Sequence, residues 1–340
     1  MLRFLVWLGG GLTAAALAWS GWWVAATSGQ EAALAAWLEA RAAEGWQAET
    51  ASIETKGFPT RFERRITGPA LADPAAGWAW SAPYLHLDSA AWDPTHVTLA
   101  MAPEQNFAVP GQRVGVTAER LGGVAAVVPA LSLALRTLSL EGRSVMLEAQ
   151  SGWRTGAERL DLAIERRTEG APENTYEVAI DAAGILLPGR LGRALEPRVA
   201  AGGTAVRGTL RGRARVVTDR PLDRDLVEDG EIGALTVVIR EARLDYAGIA
   251  FSVDGRLDAD DEGRAEGALD IEARDWRRLI DGLVASGTLS SGIADAVRRT
   301  VSLITVFSSG DDLSVTLTFS GGAARVGPIP IGDAPRLTTR

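Results

Sequence analysis

From about Gln47 to the C-terminus, apolar and polar residues alternate. Segments such as "YLHLDSAAW", "HVTLAM", "RLDLAIER", "TYEVAIDA", "VRGTLRGRARVV" and "LSVTLTFSG" follow a period of two, and "WDPT", "QSGWRTG", "EGAPEN" and "SSGDD" separate them. This pattern predicts antiparallel strands joined by hairpin-length links. A parallel α/β fold needs a helix between successive strands, and those helices are missing. The period changes to helical in three places. "EAALAAWLEARAAEGW" begins at Glu31, which has capping-box spacing from Ser28, and its helix is expected to stop at Gly45. Short helical turns are expected near 183–195. A helical hairpin is expected over about 275–307, with Leu279, Ile280, Leu283 and Val284 on its first arm and Ile293, Val297, Val301, Ile304 and Phe307 on its second. The expected fold is mainly β: a curved antiparallel sheet over 47–340, with an N-terminal helix and a C-terminal helical hairpin packed on the sheet. The segment Pro221 to Glu231 reads as a long exposed loop.

Phe4 to Thr27 contains no charged residue. As a helix this segment is about 36 Å long, enough to cross a ~30 Å hydrocarbon core. Trp19, Trp22 and Trp23 gather near its end, where indoles favour the headgroup boundary. Arg3 precedes it, so the expectation is a single-pass inner-membrane anchor over 1–27, with the N-terminus cytoplasmic, a juxtamembrane helix over 28–46 and a periplasmic domain beyond. Cleavage after Ala16-Leu17-Ala18 as a signal peptide is the alternative.

Composition narrows the chemistry. The net charge is −8 with 23% charged residues, a poor balance for displacing counterions from nucleic acid, so no nucleic-acid partner is expected. With no Cys and two His, at 86 and 96, thiolate catalysis and Cys-ligated metals are excluded. No HExxH, Gly-x-Ser-x-Gly or P-loop pattern occurs. A calcium loop starting at Asp258 would need Glu at its twelfth position, which is Leu269. No catalytic residue, metal or cofactor is expected.

The heptapeptide "KGFPTRF", Lys56 to Phe62, carries the only Lys of the chain. Gly57 and Pro59 punctuate two strands, and Phe58 and Phe62 are expected to anchor the turn in the core. A recognition site around Arg61 is the alternative. Gly57, Phe58, Pro59, Arg61 and Phe62, placed shortly after an N-terminal anchor and a short helix, resemble the motif of the domain of unknown function 2125 family of bacterial envelope proteins. The tail "LTFSGGAARVGPIPIGDAP" looks like that family's ending. The resemblance implies an envelope location and brings no catalytic residues. A second likeness, of "VDGRLDADDEGRAEGALDIEARDWRRLIDGL" to AsmA-like proteins, implies a long curved sheet that holds lipid.

One strand stands out. Arg207, Arg211, Arg213 and Arg215 share one face, either paired across strands with acidic residues of the 252–273 hairpin or free to bind a headgroup. The opposite faces of these strands are small: Gly208, Leu210, Gly212 and Ala214, with Ala265, Gly267 and Leu269 further on. They leave space for a covering helix or for an acyl chain. Two functions follow as expectations: non-enzymatic binding or transfer of a lipid or other amphiphile, or an envelope scaffold that binds another protein.

Overall fold

The structure, a computed structural model, describes residues 2–338 except 75–76, 131, 196–206, 225–232 and nearly all of 288–311; in the first helix, side chains are described only from residue 16. The chain divides into two compact units, Met1–Ala125 and Ala126–Arg340. No shift in composition marks that division.

The first unit opens with one helix, α1 (Leu2–Ala43). Two helices meeting at Ser28 were expected. No proline interrupts this segment, and a glycine inside a helix costs only about 1 kcal/mol, so the helix runs through Gly29. The Glu31 carboxylate does not cap a helix start; it accepts a hydrogen bond from Thr55 Oγ1 at 2.9 Å. The expected stop is present. Gly45 has φ +93°, its N–H donates to the Ala42 carbonyl at 3.1 Å, and the Trp46 N–H donates to the Arg41 carbonyl at 3.0 Å, the double bond of a Schellman motif. Among the described residues no helix is long and apolar enough to cross a membrane. Much of the Phe4–Thr27 segment lies outside the residues whose side chains are described.

Ten short strands follow: β1 (Gln47–Glu49), β2 (Ser52–Lys56), β3 (Arg61–Thr67), β4 (Ala70–Asp73), β5 (Trp78–Ser81), β6 (Tyr84–Ala90), β7 (Asp93–Met101), β8 (Glu104–Val109), β9 (Gln112–Thr117) and β10 (Arg120–Val127). They pair as β2–β3–β6–β7–β10 and as β1–β4–β5–β8–β9. The two ladders are halves of the same long strands, each broken by two residues. The breaks fall at 50–51, Gly68-Pro69, Ala82-Pro83, Ala102-Pro103 and Ala118-Glu119, and they line up in a row. Ala51 N–H bonds Thr67 O, Gly68 N–H bonds Pro83 O, Ala82 N–H bonds Pro69 O, and Ala118 N–H bonds Pro103 O, at 2.8–3.1 Å. Proline cannot donate to a ladder, and a small neighbour lets the strands close in at the bend: Ala82, Ala102 and Ala118 are all buried.

The second unit is a simple meander in which every strand pairs with the next: β11 (Leu135–Ala149), β12 (Arg154–Arg167), β13 (Thr175–Ile185), β14 (Gly208–Thr218), β15 (Ala234–Tyr246), β16 (Ile249–Ala259), β17 (Ala265–Arg274), β18 (Asp312–Ser320), β19 (Ala323–Val326) and β20 (Ile329–Asp333). Two devices that bend a sheet occur in it. One is a bulge in β15, where register shifts between Ile239 and Ala242. The other is a pair of positive-φ glycines, Gly255 and Gly267. Between β13 and β14 lies α2 (Gly189–Leu195), in the segment where helical turns were expected. The helix α3 (Trp276–Ala285) is the first arm of the expected hairpin, and Gly287, at φ +78°, follows its end. The second arm, Ile293 to Phe307, lies outside the described residues.

Candidate functional site

The opening motif builds a seat for α1. Gly57 has φ +98°, and a Cβ there would lie 2.9 Å from the Arg61 carbonyl oxygen, so glycine is required. The Phe58–Pro59 peptide is cis. Trp19 Nε1 donates to the Pro59 carbonyl at 2.8 Å, and Trp23 Nε1 donates to the Arg61 carbonyl at 3.1 Å. The Phe62 ring, 3% exposed, stacks on Trp23 at 5.8 Å and meets Trp22 at 6.0 Å. Phe58 meets Trp23 edge-on at 5.4 Å. The expectation that both rings anchor the core is corrected in part: Phe58 remains 53% exposed, because it lies at the outer side of the turn. Arg61 is occupied at the surface by Asp88 and Glu63. Behind this seat the half-buried Arg64 faces the helix; burial pushes its pKa down and the charge of Glu31 opposes that.

In the second unit, register fixes the faces. Glu177, Ala179 and Asp181 pair across with Arg215, Arg213 and Arg211; Val178, Ile180 and Ala182 pair with Ala214, Gly212 and Leu210. The arginines and the small residues therefore occupy opposite faces, and the structure does not bring the headgroup candidates and the groove candidates together. Each arginine has a carboxylate partner. Arg213 and Arg211 reach Asp181 at 2.6 and 3.4 Å, Arg215 reaches Glu177 at 2.8 Å, and Arg207 reaches Glu158 at 2.9 Å. These partners come from β12 and β13, not from the 252–273 hairpin, because β14 neighbours β13 and β15. The hairpin pairs within itself and with β15: Arg256 holds Asp258, which also accepts from Thr236. The Arg213 hydrogen bond, then the charges of Arg213 and Arg211, holds the Asp181 carboxyl below the usual carboxylate range.

The small residues are less open than their size suggested. A Cβ on Gly208 would strike the Tyr246 ring, and one on Gly212 would lie 2.6 Å from Ile180 Cγ2. Gly267, at φ +136°, lies so close to the Arg256 carbonyl that any side chain there would overlap it. Ala265 is buried beneath the C-terminal tail with Ala334, and Leu269 packs on the same cluster. Of these positions only Gly208 and Ala265 are buried; Leu210, Gly212, Ala214, Gly267 and Leu269 are half-buried.

The wider face was not foreseen as a site. Across β11 to β18, the mid-strand positions on the side of Leu210 are all apolar or glycine. Leu162, Ile180, Ile239, Val253, Ile271 and Val315 are half-buried examples. Described elements cover this face only at its two ends. At one, Leu187 just before α2, Leu191 and Leu195 of α2 and Leu279 of α3 meet Tyr246 and Ile249, and Trp276 and Ile280 of α3 meet Phe251 and Leu313. At the other, the tail packs Ala334 and Leu337 against Leu257 and Phe319. Period-two alternation carried the signal; register, which aligns the apolar sets, did not appear in the sequence. His86 pairs with Ala100 across β6–β7, while His96 Nδ1 lies 2.6 Å from Asp93, so the two histidines are not partners. At the 258–263 turn, Asp260 accepts the N–H groups of Glu262 and Arg264 at 2.9 and 2.8 Å.

A mainly antiparallel β protein with a one-sided apolar sheet and an aromatic clasp on its first helix is the class these features define. The chain belongs to the family described as an uncharacterized protein conserved in bacteria, DUF2125, which matches residues 23–335. No curated protein sequence and no solved structure matches it.

Proposed function

We propose that this is a membrane-anchored protein of the bacterial envelope, with its β units in the periplasm, and that its second unit holds an acyl chain or similar amphiphile against the apolar face of β11–β18. One observation supports this above the rest: eight neighbouring strands share a half-buried aliphatic face on which, among the described residues, helices and tail cover only the ends. Eight strands spaced at ~4.8 Å span about 34 Å, more than the ~15 Å that one acyl chain occupies in half of a bilayer core. Affinity would come from apolar burial, at roughly 25 cal/mol per Å². The AsmA-like pattern around 253–283 agrees with that use of a sheet, and the uncharged 4–27 segment supplies the anchor. The reaction is transfer or retention of the lipid, with no covalent step.

The test is organic extraction and mass spectrometry of the full chain purified in mild detergent. About one lipid per protein, enriched over an unrelated single-pass protein prepared in the same way, is the expected result. A lipid content equal to that control would favour the scaffold reading.

A further inference from the structure

The anchor and the first unit are clasped together at one level of α1, and that level has a consequence for where the β-sheet ends. Contacts along α1 run in order: Trp19 to Pro59, Trp23 to Arg61, Glu31 to Thr55, and Arg41 to the Trp46 ring. The helix therefore lies along β2 and β1 with its N-terminal part beyond the 57–60 turn. That turn is the sheet end nearest the uncharged segment. The β6–β7 turn sits beside it, since Ala91 N–H donates to the Thr60 carbonyl at 2.9 Å. Five of the exposed large apolar residues lie on these turns and the facing stretch of α1: Leu17, Trp19, Trp22, Phe58 and Trp92, the last at 69% exposure; others, such as Phe107 and Val109, lie elsewhere.

Helix geometry then sets the depth. From Phe4 to Trp19 the rise is about 22 Å at ~1.5 Å per residue, short of the ~30 Å a hydrocarbon core requires. If α1 spans, the outer boundary of the core falls at the level of Trp22 to Val24, and the 57–60 turn is bonded to Trp19, below that level. We infer that the two turns carrying Phe58 and Trp92 are a membrane seat: they pass through the headgroup layer to the outer edge of the hydrocarbon core that α1 crosses, and the indole-to-carbonyl bonds of Trp19 and Trp23 hold the first unit at that depth. Indole and phenyl rings are the side chains suited to this layer. The opening motif would thus be conformational on its inner side, through Gly57 and Phe62, and lipid-facing on its outer side, through Phe58.

This rests on the anchor half of the proposed function, so the test separates the two. The chain has no Cys, so Thr60→Cys and, at the far end of the same helix, Glu44→Cys each accept a single nitroxide label. The full-length variants are placed in phosphatidylcholine–phosphatidylglycerol vesicles and floated after carbonate washing. Paramagnetic accessibility is then read with oxygen and with a water-soluble nickel complex. The expected result is that both variants float and that the label at 60 favours oxygen over nickel at least several-fold more than the label at 44. Floating protein with equal accessibilities at 60 and 44 would overturn the seat and leave the anchor standing. Protein left at the bottom of the gradient would overturn both. A Trp19→Phe, Trp23→Phe double variant, which keeps the ring bulk but removes both indole donors to the 59 and 61 carbonyls, should keep floating but lose most of the difference between the two labels; an unchanged difference would also overturn the seat.

Discussion

Both units are meanders of alternating strands, yet they treat their apolar faces differently. In the first, α1 lies against the strands that carry Phe62 and Ile66, and both side chains are buried. In the second, α2, α3 and the tail reach only the ends of the face among the described residues, and Ile180, Val253 and Ile271 stay half-buried. The same sequence pattern thus produces a helix-covered face in one unit and, in the other, a face whose middle the described elements leave uncovered. What decides is the partner element, and strand periodicity carries no information about that.

The largest effect should separate the two phenylalanines of the clasp. Phe62→Ala removes a buried ring between two indoles and should cost roughly 3–5 kcal/mol, read as a fall in urea midpoint at constant m-value. Phe58→Ala, at an exposed ring, should cost under about 1 kcal/mol. Equal losses would break the distinction between the inner and outer sides of the motif.

Next come the glycines of the second unit. Gly267→Ala forces a side chain into positive φ against a backbone carbonyl and should cost about 2–3 kcal/mol. Gly212→Ala brings a methyl against Ile180 Cγ2, a branch methyl that shifts only with the Ile180 χ1, and should cost about 1–2 kcal/mol. Thermal melts of both variants order them; a Gly212 variant as damaged as the Gly267 variant would mean that the face is packed solid.

The smallest effect concerns the arginine face. Arg213 and Arg211 hold the Asp181 pKa low, and Arg243 and Arg256 do the same for Asp245 and Asp258. A carboxylate with a depressed folded pKa stabilises above its unfolded value, near 3.9, and that contribution is lost as pH falls through the folded one. Melting temperature should therefore decline below about pH 4. Asp181→Asn should lower it at pH 7 by no more than exposed pairs allow, well under ~1 kcal/mol, with the difference from the parent vanishing in acid. A difference that persists at low pH would assign Asp181 a packing role.

Much of this arrangement could be read from residues, and the rest failed for identifiable reasons. Alternation located the strands, and Gly45 and Gly287 located helix ends, because those are local signals. The bent strands of the first unit had a local signal as well, the small-residue–proline pairs at 68–69, 82–83 and 102–103, which become meaningful only when register lines them up. Trp19, Trp22 and Trp23 read as headgroup residues, but two of their indole N–H groups found carbonyls some forty positions away, a long-range pairing that no local pattern announces. The arginines' partners were assigned to the wrong hairpin for the same reason. Small side chains at 208 and 212 suggested open space, whereas Tyr246 and Ile180 fill it; a residue's size says nothing of its neighbour's reach.

The central claim is that one face of the second unit is the lipid face. It is tested most directly by placing the same charge on adjacent residues of β13, which point to opposite sides. Binding of a fluorescent polyene fatty acid to the full chain is titrated for Ile180→Asp and Ala179→Asp. The account predicts that Ala179→Asp, opposite Arg213 on the polar face, binds like the parent, while Ile180→Asp binds at least ten-fold more weakly with its circular dichroism retained. Equal binding by the two variants, or no saturable binding by the parent, would contradict it.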